Sequence, residues 1–309
     1  QYFPMKSMFW GLTVFLLFLA GCSPAVPFAQ LPKTDPALTW YYVEKSVSFG
    51  SRYSGSQAIA DYARWIRRTA AESSKFKVSE HVFTEQTPAG KITFRNIIAE
   101  IPGRSREWIL VGAHYDAKKF LSVPGFQAAN DGASGTAALL AMIHALEKYS
   151  AKPPFTLRFV FFDGEECLYR YSDNDGLHGS RALAAFYEKN GELKNCRAMI
   201  LLDMIGDRDL NLTLPANCSP ALTAHFEQIV RNFLPSLRYE KLAYDMLDDH
   251  VPFLRRGVPV LDLIDFDYGP HNSYWHSAGD TVENVSAQSI CTAADLAMAL
   301  IWNPPPRKN

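Results

Sequence analysis

Histidine and acidic residues recur in five polar segments of this sequence, and side chains of these types together bind zinc. Imidazole nitrogens and carboxylate oxygens suit Zn²⁺, whereas structural zinc sites usually use cysteine and leave no coordination position open. The set contains no cysteine, so it predicts a catalytic site with an open position. The candidates are His114, Asp131, the adjacent pair Glu165 and Glu166, Asp203 and His276.

The adjacent glutamates offer two different roles within one segment. If one carboxylate binds the metal, its neighbour can point elsewhere and serve as a general acid or base. Two carboxylates packed near an ion also have their proton affinities pushed apart. Glu165 and Glu166 are therefore predicted to divide metal binding and proton transfer between them.

Buried strands that alternate with helices are predicted to position these side chains. Four near-continuous apolar runs are typical of strands covered on both faces, and they span residues 108–114, 155–163, 199–204 and 258–264. Two more strands are predicted at 76–83 and 94–101, and helices at 36–48, 56–73, 132–148, 179–189, 222–233 and 286–301. The alternation predicts an α/β fold, a single domain with a mostly parallel central sheet flanked by helices.

The candidate ligands fall where the buried strands end. Ligands of such sheets bind at the carboxyl ends of the strands, so the candidates should gather at one edge. Each residue taken alone has a simpler explanation, because a strand-end aspartate is usually a turn or helix-capping residue and a single histidine usually lies on the surface or in the core. Five candidates at the same edge of one sheet favour a metal site.

Composition argues for a large folded domain and against nucleic acid as a partner. Nearly half of the 309 residues are apolar, which is enough to bury a substantial core. The formal net charge is −1, without the basic excess that nucleic-acid binding requires.

The N-terminal residues are typical of an export signal. Lys6 precedes an apolar run at 8–20 that is short for a membrane span, and the run leads to Leu19-Ala20-Gly21-Cys22. This tetrapeptide resembles a bacterial lipobox, which predicts a lipoprotein signal peptide at 1–22, lipidation of Cys22 and a membrane anchor on the periplasmic side. An ordinary signal peptide with an incidental cysteine is the alternative, and export is expected in both cases. A linker at 23–34 would then precede a catalytic α/β zinc domain at 35–309.

The other four cysteines do not form a recognisable framework. Export permits disulfides, but the spacings lack a Cys-x-x-Cys pair and are not those of a small disulfide-rich scaffold. Free or buried thiols are the expected state for most of Cys167, Cys196, Cys218 and Cys291.

The polar segments resemble the zinc aminopeptidase family between about residues 90 and 290. The similarity rests on His114-Tyr115-Asp116, Asn130-Asp131-Gly132-Ala133-Ser134-Gly135, Glu165-Glu166, Asp203 and His276. It implies the zinc aminopeptidase-like fold and two zinc ions. The implied ligands are His114, Asp131, Glu166, Asp203 and His276, with Asp131 bridging the ions and Glu165 as general base.

Other segments are more similar to a related family, the glutaminyl cyclases. The run 161–166 is followed by a long polar loop that ends in 175–181, as in cyclases of the animal type. The run 248–261, from Asp248-Asp249-His250 to Val260-Leu261, is cyclase-like, and so are His114-Tyr115-Asp116-Ala117-Lys118 and Trp275-His276.

The cyclase resemblance implies a site with one zinc ion. Asp131, Glu166 and His276 match its ligands, while His114 and Asp203 remain candidates for a second ion. Glu165, Asp203 and Asp249 match a hydrogen-bonded acid network in which Glu165 is the acid/base. Trp275 matches a residue that lines the substrate pocket, and Tyr171 falls where animal cyclases have a pocket tryptophan.

The implied activity is conversion of the N-terminal glutamine of a peptide or protein to pyroglutamate, with release of ammonia. A dizinc aminopeptidase that hydrolyses N-terminal residues with the same ligands is the alternative, and the run 130–135 favours it. A non-catalytic lipoprotein with a degenerate site is a third possibility, against which the intact Glu165 and ligands argue. The sequence also departs from secreted animal cyclases, whose paired cysteines would fall at Ala113 and Thr136.

Overall fold

A mixed sheet of six strands organises the structure, a computed structural model that describes residues 25–120, 122–123 and 126–304. The strands in the described residues are β1 (Lys77–Thr87), β2 (Gly90–Ile101), β3 (Ser105–His114), β4 (Phe155–Phe162), β5 (Cys196–Asp203), β6 (Leu212–Leu214), β7 (Tyr239–Lys241) and β8 (Val260–Ile264). The central sheet has the order β1-β2-β4-β3-β5-β8. β1, β2 and β4 pair antiparallel, and β4, β3, β5 and β8 pair parallel. The predicted α/β fold with a mostly parallel sheet is confirmed.

Helices cover both faces of this sheet. Within the described residues they are α1 (Pro36–Val47), α2 (Gln57–Ala70), α3 (Ala133–Lys148), α4 (His178–Lys189), α5 (Pro220–Phe233), α6 (Val251–Leu254) and α7 (Ala287–Trp302). The alternating side chains of β3 demonstrate the two covered faces. Ile109 and Val111 belong to the larger core cluster, which includes residues of α1, α2, α3 and α7. Trp108 and Leu110 point to the opposite face and pack with residues of α4 and α6.

The predicted elements correspond closely to the observed ones, with differences at the sheet edge and in the short elements. β1 and β2 extend beyond the predicted strands to form a long hairpin that turns between Thr87 and Gly90. β6, β7 and α6 were not predicted, because segments of three or four residues carry too little periodicity.

The described part of the predicted linker lies against the domain. The Val26 N–H donates to Asn303 Oδ1 at 2.6 Å, and the Thr34 N–H donates to Asp295 Oδ1 at 3.0 Å. Leu31 is buried in the larger core cluster. Cys22 and the predicted signal peptide lie outside the described residues. Within the described part of the chain, no helix is both long and apolar enough to cross a bilayer.

Candidate active site

The carboxyl ends of β3 and β5 bring the first group of predicted ligands together. His114 ends β3 and Asp203 ends β5. The His114 Nε2 atom lies 3.1 Å from Asp131 Oδ1 and 3.2 Å from Asp203 Oδ1. All three side chains are buried, so the strand ends form a closely spaced group of metal-ligand types below the surface.

A second group forms around the other oxygen of Asp131. The His276 Nε2 atom is 3.2 Å from Asp131 Oδ2 and 2.9 Å from Glu166 Oε1. Asp131 therefore lies between the two groups, with one oxygen toward each histidine. The bridging of two ions by Asp131, which the aminopeptidase resemblance implies, remains a prediction.

The segment that carries Asp131 depends on a glycine immediately after it. Gly132 has a φ of +92°, and a Cβ atom there would lie 2.4 Å from the Asp116 carbonyl oxygen. A side chain at this position would thus be strained and would clash with backbone. The close approach lets α3 begin directly beside the strand ends, with Asp131 just before its first turn.

The Asp131, Glu166 and His276 donors fit a bound zinc ion. Their ligand atoms all lie within 4.8 Å of one another. The 2.9 and 3.2 Å separations are close to the roughly 3.3 Å expected between ligands of a tetrahedral zinc ion. Asp131 Oδ2 is buried and lies 3.2 Å from His276 Nε2, so two atoms of ligand type face the same position below the surface.

The charges of the second group also fit a cation. Burial lowers the pKa of His276, but hydrogen bonds and charge interactions with Asp131 and Glu166 outweigh burial and raise it to about 10. Without a metal, His276 thus holds a proton between two carboxylates. A divalent ion at this position would displace that proton and supply the positive charge itself.

Glu165 lies outside both groups, in surroundings that differ from those of Glu166. Its side chain is buried, and the Tyr171 hydroxyl donates a hydrogen bond of 2.9 Å to its Oε1 atom. Burial, followed by the negative charge of Glu166, raises the pKa of Glu165 well above its usual value. Adjacent glutamates therefore have different surroundings, one facing His276 and the other facing Tyr171.

Two residues without an assigned role hold the glutamate pair in place. The Asp116 carboxylate accepts the backbone N–H groups of Glu165 and Glu166, each at 3.1 Å. The Lys118 Nζ atom is 3.3 Å from Glu166 Oε2, the oxygen that faces away from His276. The sequence placed Asp116 and Lys118 next to a candidate ligand but gave no sign of these contacts, which join segments about 50 residues apart.

The predicted acid network of Glu165, Asp203 and Asp249 remains a prediction. A hydrogen bond joins Asp203 Oδ1 to His114 Nε2, and Glu165 accepts a hydrogen bond from the Tyr171 hydroxyl. In the described residues neither carboxylate oxygen of Asp249 has a hydrogen-bond partner. Burial raises the pKa of Asp249 to about 7, so this carboxyl can exchange a proton near neutral pH.

A buried polar cluster next to Asp249 in the chain was not predicted from the sequence. Asp248, His250 and Asp262 lie together, with 3.4 Å between His250 Nδ1 and Asp262 Oδ2. Burial raises the pKa of Asp262 well above its usual value and lowers that of His250 to about 4. Burial thus disfavours the charged form of both the Asp262 carboxyl and the His250 imidazole.

Aromatic side chains form walls beside the second group. The Trp275 ring stacks on His276 with 4.0 Å between centroids, and Phe266 contacts Trp275 edge-on at 4.9 Å. The Phe120 ring also contacts the His276 imidazole edge-on, with 5.5 Å between the ring centroids. Trp275 and Tyr171, the two predicted pocket residues, thus flank the ligands and Glu165, respectively. Phe266 and Phe120 were not predicted.

Known proteins share this combination of sequence and fold. The model of peptidase family M28 matches residues 96–301. A glutaminyl-peptide cyclotransferase from Boiga irregularis is 32% identical over 273 residues, covering 77% of this chain and 73% of the relative. The chain belongs to the glutaminyl-peptide cyclotransferases of peptidase family M28. A solved glutaminyl cyclase from an Acidobacteriales bacterium superposes with a TM-score of 0.80 at 33% identity, covering 91% of this chain and 96% of that one.

The family resemblance inferred from the sequence is thereby confirmed. Membership in the glutaminyl-peptide cyclotransferases also indicates an enzyme. A Zn-dependent exopeptidase from Parabacteroides distasonis has a TM-score of 0.73 at 22% identity, which extends the shared fold to peptidases but says nothing of substrate. The four cysteines of the described residues are free and buried, as expected from their spacing.

Proposed function

We propose that this chain is a zinc-dependent glutaminyl cyclase that converts the N-terminal glutamine of peptides or proteins to pyroglutamate. The observation that carries the proposal is the separation of roles at the site. Asp131, Glu166 and His276 converge on one position, while Glu165 lies beside them, buried and paired with Tyr171. A substrate held between these groups meets a metal position on one side and a proton carrier on the other.

Cyclisation makes the peptide its own nucleophile. The α-amine attacks the γ-carboxamide carbon, a C–N bond closes the five-membered lactam, and the bond to the amide nitrogen breaks to release ammonia. Because the reacting groups already belong to one residue, much of the rate enhancement can come from holding a bent conformer. Trp275 and Phe266 provide apolar surface for that purpose.

Proton transfer falls to Glu165 in this mechanism. Its carboxylate takes a proton from the attacking α-amine and delivers it to the leaving nitrogen, so the proton count balances without water. The Tyr171 hydroxyl occupies Oε1 and leaves Oε2 for the substrate. A zinc ion bound by Asp131, Glu166 and His276 would supply a Lewis acid for the γ-carbonyl oxygen.

A dizinc aminopeptidase is the second candidate, and one observation favours it. His114, Asp131 and Asp203 form a further group able to hold an ion, adjacent to the first through Asp131. Hydrolysis requires activated water, and a second metal commonly assists. One firmly bound zinc ion per chain is expected for the cyclase, and two are expected for the aminopeptidase.

Turnover of glutaminyl-aminocoumarin separates the two activities. A cyclase leaves the fluorophore attached to pyroglutamate, so fluorescence should appear only when a pyroglutamyl aminopeptidase is added. Direct release without the coupling enzyme would indicate hydrolysis and contradict the proposal. Ammonia measured in parallel should appear in the absence of the coupling enzyme.

Trp275→Ala is expected to lower kcat/KM for a glutaminyl peptide by roughly tenfold to a hundredfold, chiefly through KM. Loss of the apolar contact with the indole ring corresponds to about 1.4–2.8 kcal/mol of binding free energy, within the range for burial of a large apolar side chain. Trp275→Phe keeps a ring against His276 and should lose much less. Steady-state kinetics with zinc content measured on the same samples test this. A loss of zinc in the alanine variant would instead assign Trp275 a role in holding the His276 imidazole, on which it stacks.

We further propose that the protein is an exported lipoprotein anchored through Cys22 and facing the periplasm. The supporting feature is the segment Leu19-Ala20-Gly21-Cys22 after a short apolar run. Ser23 does not resemble an inner-membrane retention signal, so in a Gram-negative cell the outer membrane is the expected location.

Cys22→Ala is expected to release the protein from membranes without changing the specific activity of the folded domain. The acyl chains would be lost, whereas the catalytic groups lie more than 90 residues further along the chain. Fractionation of cells expressing each form, followed by activity assays of both fractions, provides the measurement. Unchanged membrane association of the variant would contradict the lipoprotein assignment.

A further inference from the structure

Two buried residues, an arginine and an aspartate, hold the segment that carries Asp131. Arg52 is fully buried, and its guanidinium donates to the carbonyl oxygens of Gln127 at 3.1 Å and Ala128 at 3.0 Å. Asp280 is also fully buried, and its carboxylate accepts the backbone N–H groups of Asn130 at 2.7 Å and Asp131 at 3.2 Å. Hydrogen bonds to buried side chains thus hold the backbone of residues 127–131 at both ends.

Asp280 also joins two ligand-bearing segments to each other. It lies four residues after His276 in the chain and binds the backbone of Asp131, which is 149 residues away. A second link runs parallel to it, from the Val282 N–H to Gln127 Oε1 at 3.0 Å. The separation of the His276 and Asp131 side chains therefore depends on these contacts.

Backbone conformation at both segments indicates that this arrangement is imposed by the surroundings. Ala128 has a φ of +48° and His276 a φ of +52°, in the left-handed region that non-glycine residues avoid. Such conformations are strained for residues with a Cβ atom and persist only where neighbouring contacts enforce them. Arg52 supplies one such contact directly, through its hydrogen bond to the Ala128 carbonyl oxygen.

Neither residue belongs to the two groups of candidate ligands. Arginine has only donor groups, and both carboxylate oxygens of Asp280 already accept backbone N–H groups. Arg52 is close enough to interact electrostatically with the carboxylates of Asp280, Asp116 and Asp131. Its positive charge offsets part of the negative charge that would otherwise disfavour burying these acids together.

We propose that Arg52 and Asp280 are positioning residues that preorganise the metal site by holding the Asp131 segment against the His276 segment. This inference rests on the proposed zinc site and concerns residues to which no part of the mechanism gives a role. Mutation of residues that support metal ligands without binding the metal themselves commonly lowers metal affinity by tenfold to a hundredfold. The expected consequence is a loss of zinc affinity that exceeds any general loss of stability.

Asp280→Asn and Asp265→Asn form a matched pair for the test. Asp265 is likewise fully buried and accepts two backbone N–H groups, from Asn211 at 2.8 Å and Asp267 at 3.1 Å, but it holds no ligand segment. In both variants an amide NH₂ replaces an oxygen that faces a backbone donor. The two changes should lower the thermal stability of the metal-free proteins similarly.

Zinc affinity measured by competition with a chromophoric chelator provides the decisive readout. Asp280→Asn should weaken zinc binding by about tenfold to a hundredfold, and Asp265→Asn by about twofold or less. The visible spectrum of the Co²⁺-loaded protein should change in the first variant only. Zinc affinity of Asp280→Asn equal to that of the unaltered protein would overturn the positioning role, and so would equal losses of affinity in the two variants.

Two milder changes keep the proposal testable if Asp280→Asn does not fold. Tyr268→Phe removes a hydroxyl that donates to Asp280 Oδ1 at 3.2 Å, and Arg52→Lys keeps the charge but cannot span two carbonyl oxygens. Each should weaken zinc binding severalfold in folded protein, and unchanged affinity in both would contradict the proposal. Failure of the unaltered protein to bind zinc at all would instead contradict the proposed function.

Discussion

Glu165→Gln is expected to reduce turnover by roughly 10²–10⁴ while leaving zinc content unchanged. The substitution keeps the shape of the side chain but removes the titratable group, and general acid–base catalysis usually contributes a factor of this size. KM should change much less, because the proton is in transfer mainly in the transition state. Steady-state kinetics with a glutaminyl peptide, together with elemental analysis, test both parts.

Glu166→Gln is the matched control, since it alters the adjacent residue by the same chemical change. Glu166 Oε1 lies 2.9 Å from His276 Nε2 at the metal position, so this variant should lose zinc together with activity. Zinc loss in the Glu165 variant with zinc retained in the Glu166 variant would reverse the two roles. Normal turnover in both would remove this site from consideration.

Removal of zinc is expected to abolish activity, and added Zn²⁺ should restore it. Zinc binding should also weaken by roughly tenfold for each unit of pH decrease, because His276 must release a proton to become a ligand. The direction follows from its pKa of about 10 in the metal-free state, which keeps the imidazole protonated throughout the neutral range. Dialysis against a chelator followed by zinc titration at several pH values gives both measurements.

Elemental analysis of the purified protein distinguishes the remaining possibilities. One ion per chain agrees with the cyclase, whereas two firmly bound ions would favour the aminopeptidase. Full activity of a protein shown to be metal-free would contradict a metal-dependent reaction by either mechanism.

Much of the fold followed from local patterns in the sequence. The apolar runs that became β3, β4, β5 and β8 were recognisable because helices cover both faces of these strands, which leaves few polar positions in them. The parallel arrangement followed from their alternation with helices, and with it the edge at which the candidate ligands would meet. Short elements such as α6 escaped because one helical turn has no periodicity to detect.

The candidate ligands were likewise visible in the sequence. Metal chemistry restricts ligands to a few residue types, and the α/β fold places binding sites at the carboxyl ends of the strands. The two groups around His114 and His276 consist entirely of residues predicted as ligands. Their sharing of Asp131, however, is a fact of three-dimensional geometry. The separate surroundings of Glu165 and Glu166 also became visible only when Tyr171 and His276 were placed on different sides of the pair.

The residues that hold the ligands in place became visible only in the folded chain. Arg52 reaches a carbonyl 75 residues away, and Asp280 binds an N–H 150 residues away. Nothing in either local sequence indicates such a contact. Arginine and aspartate are mostly exposed in proteins, so the sequence alone would predict a surface position for both residues. The residue types alone indicate which atoms could bind a metal and which could carry a proton. The packing of distant segments determined which of those atoms meet, because only the folded chain can satisfy buried charges with backbone groups far along the sequence.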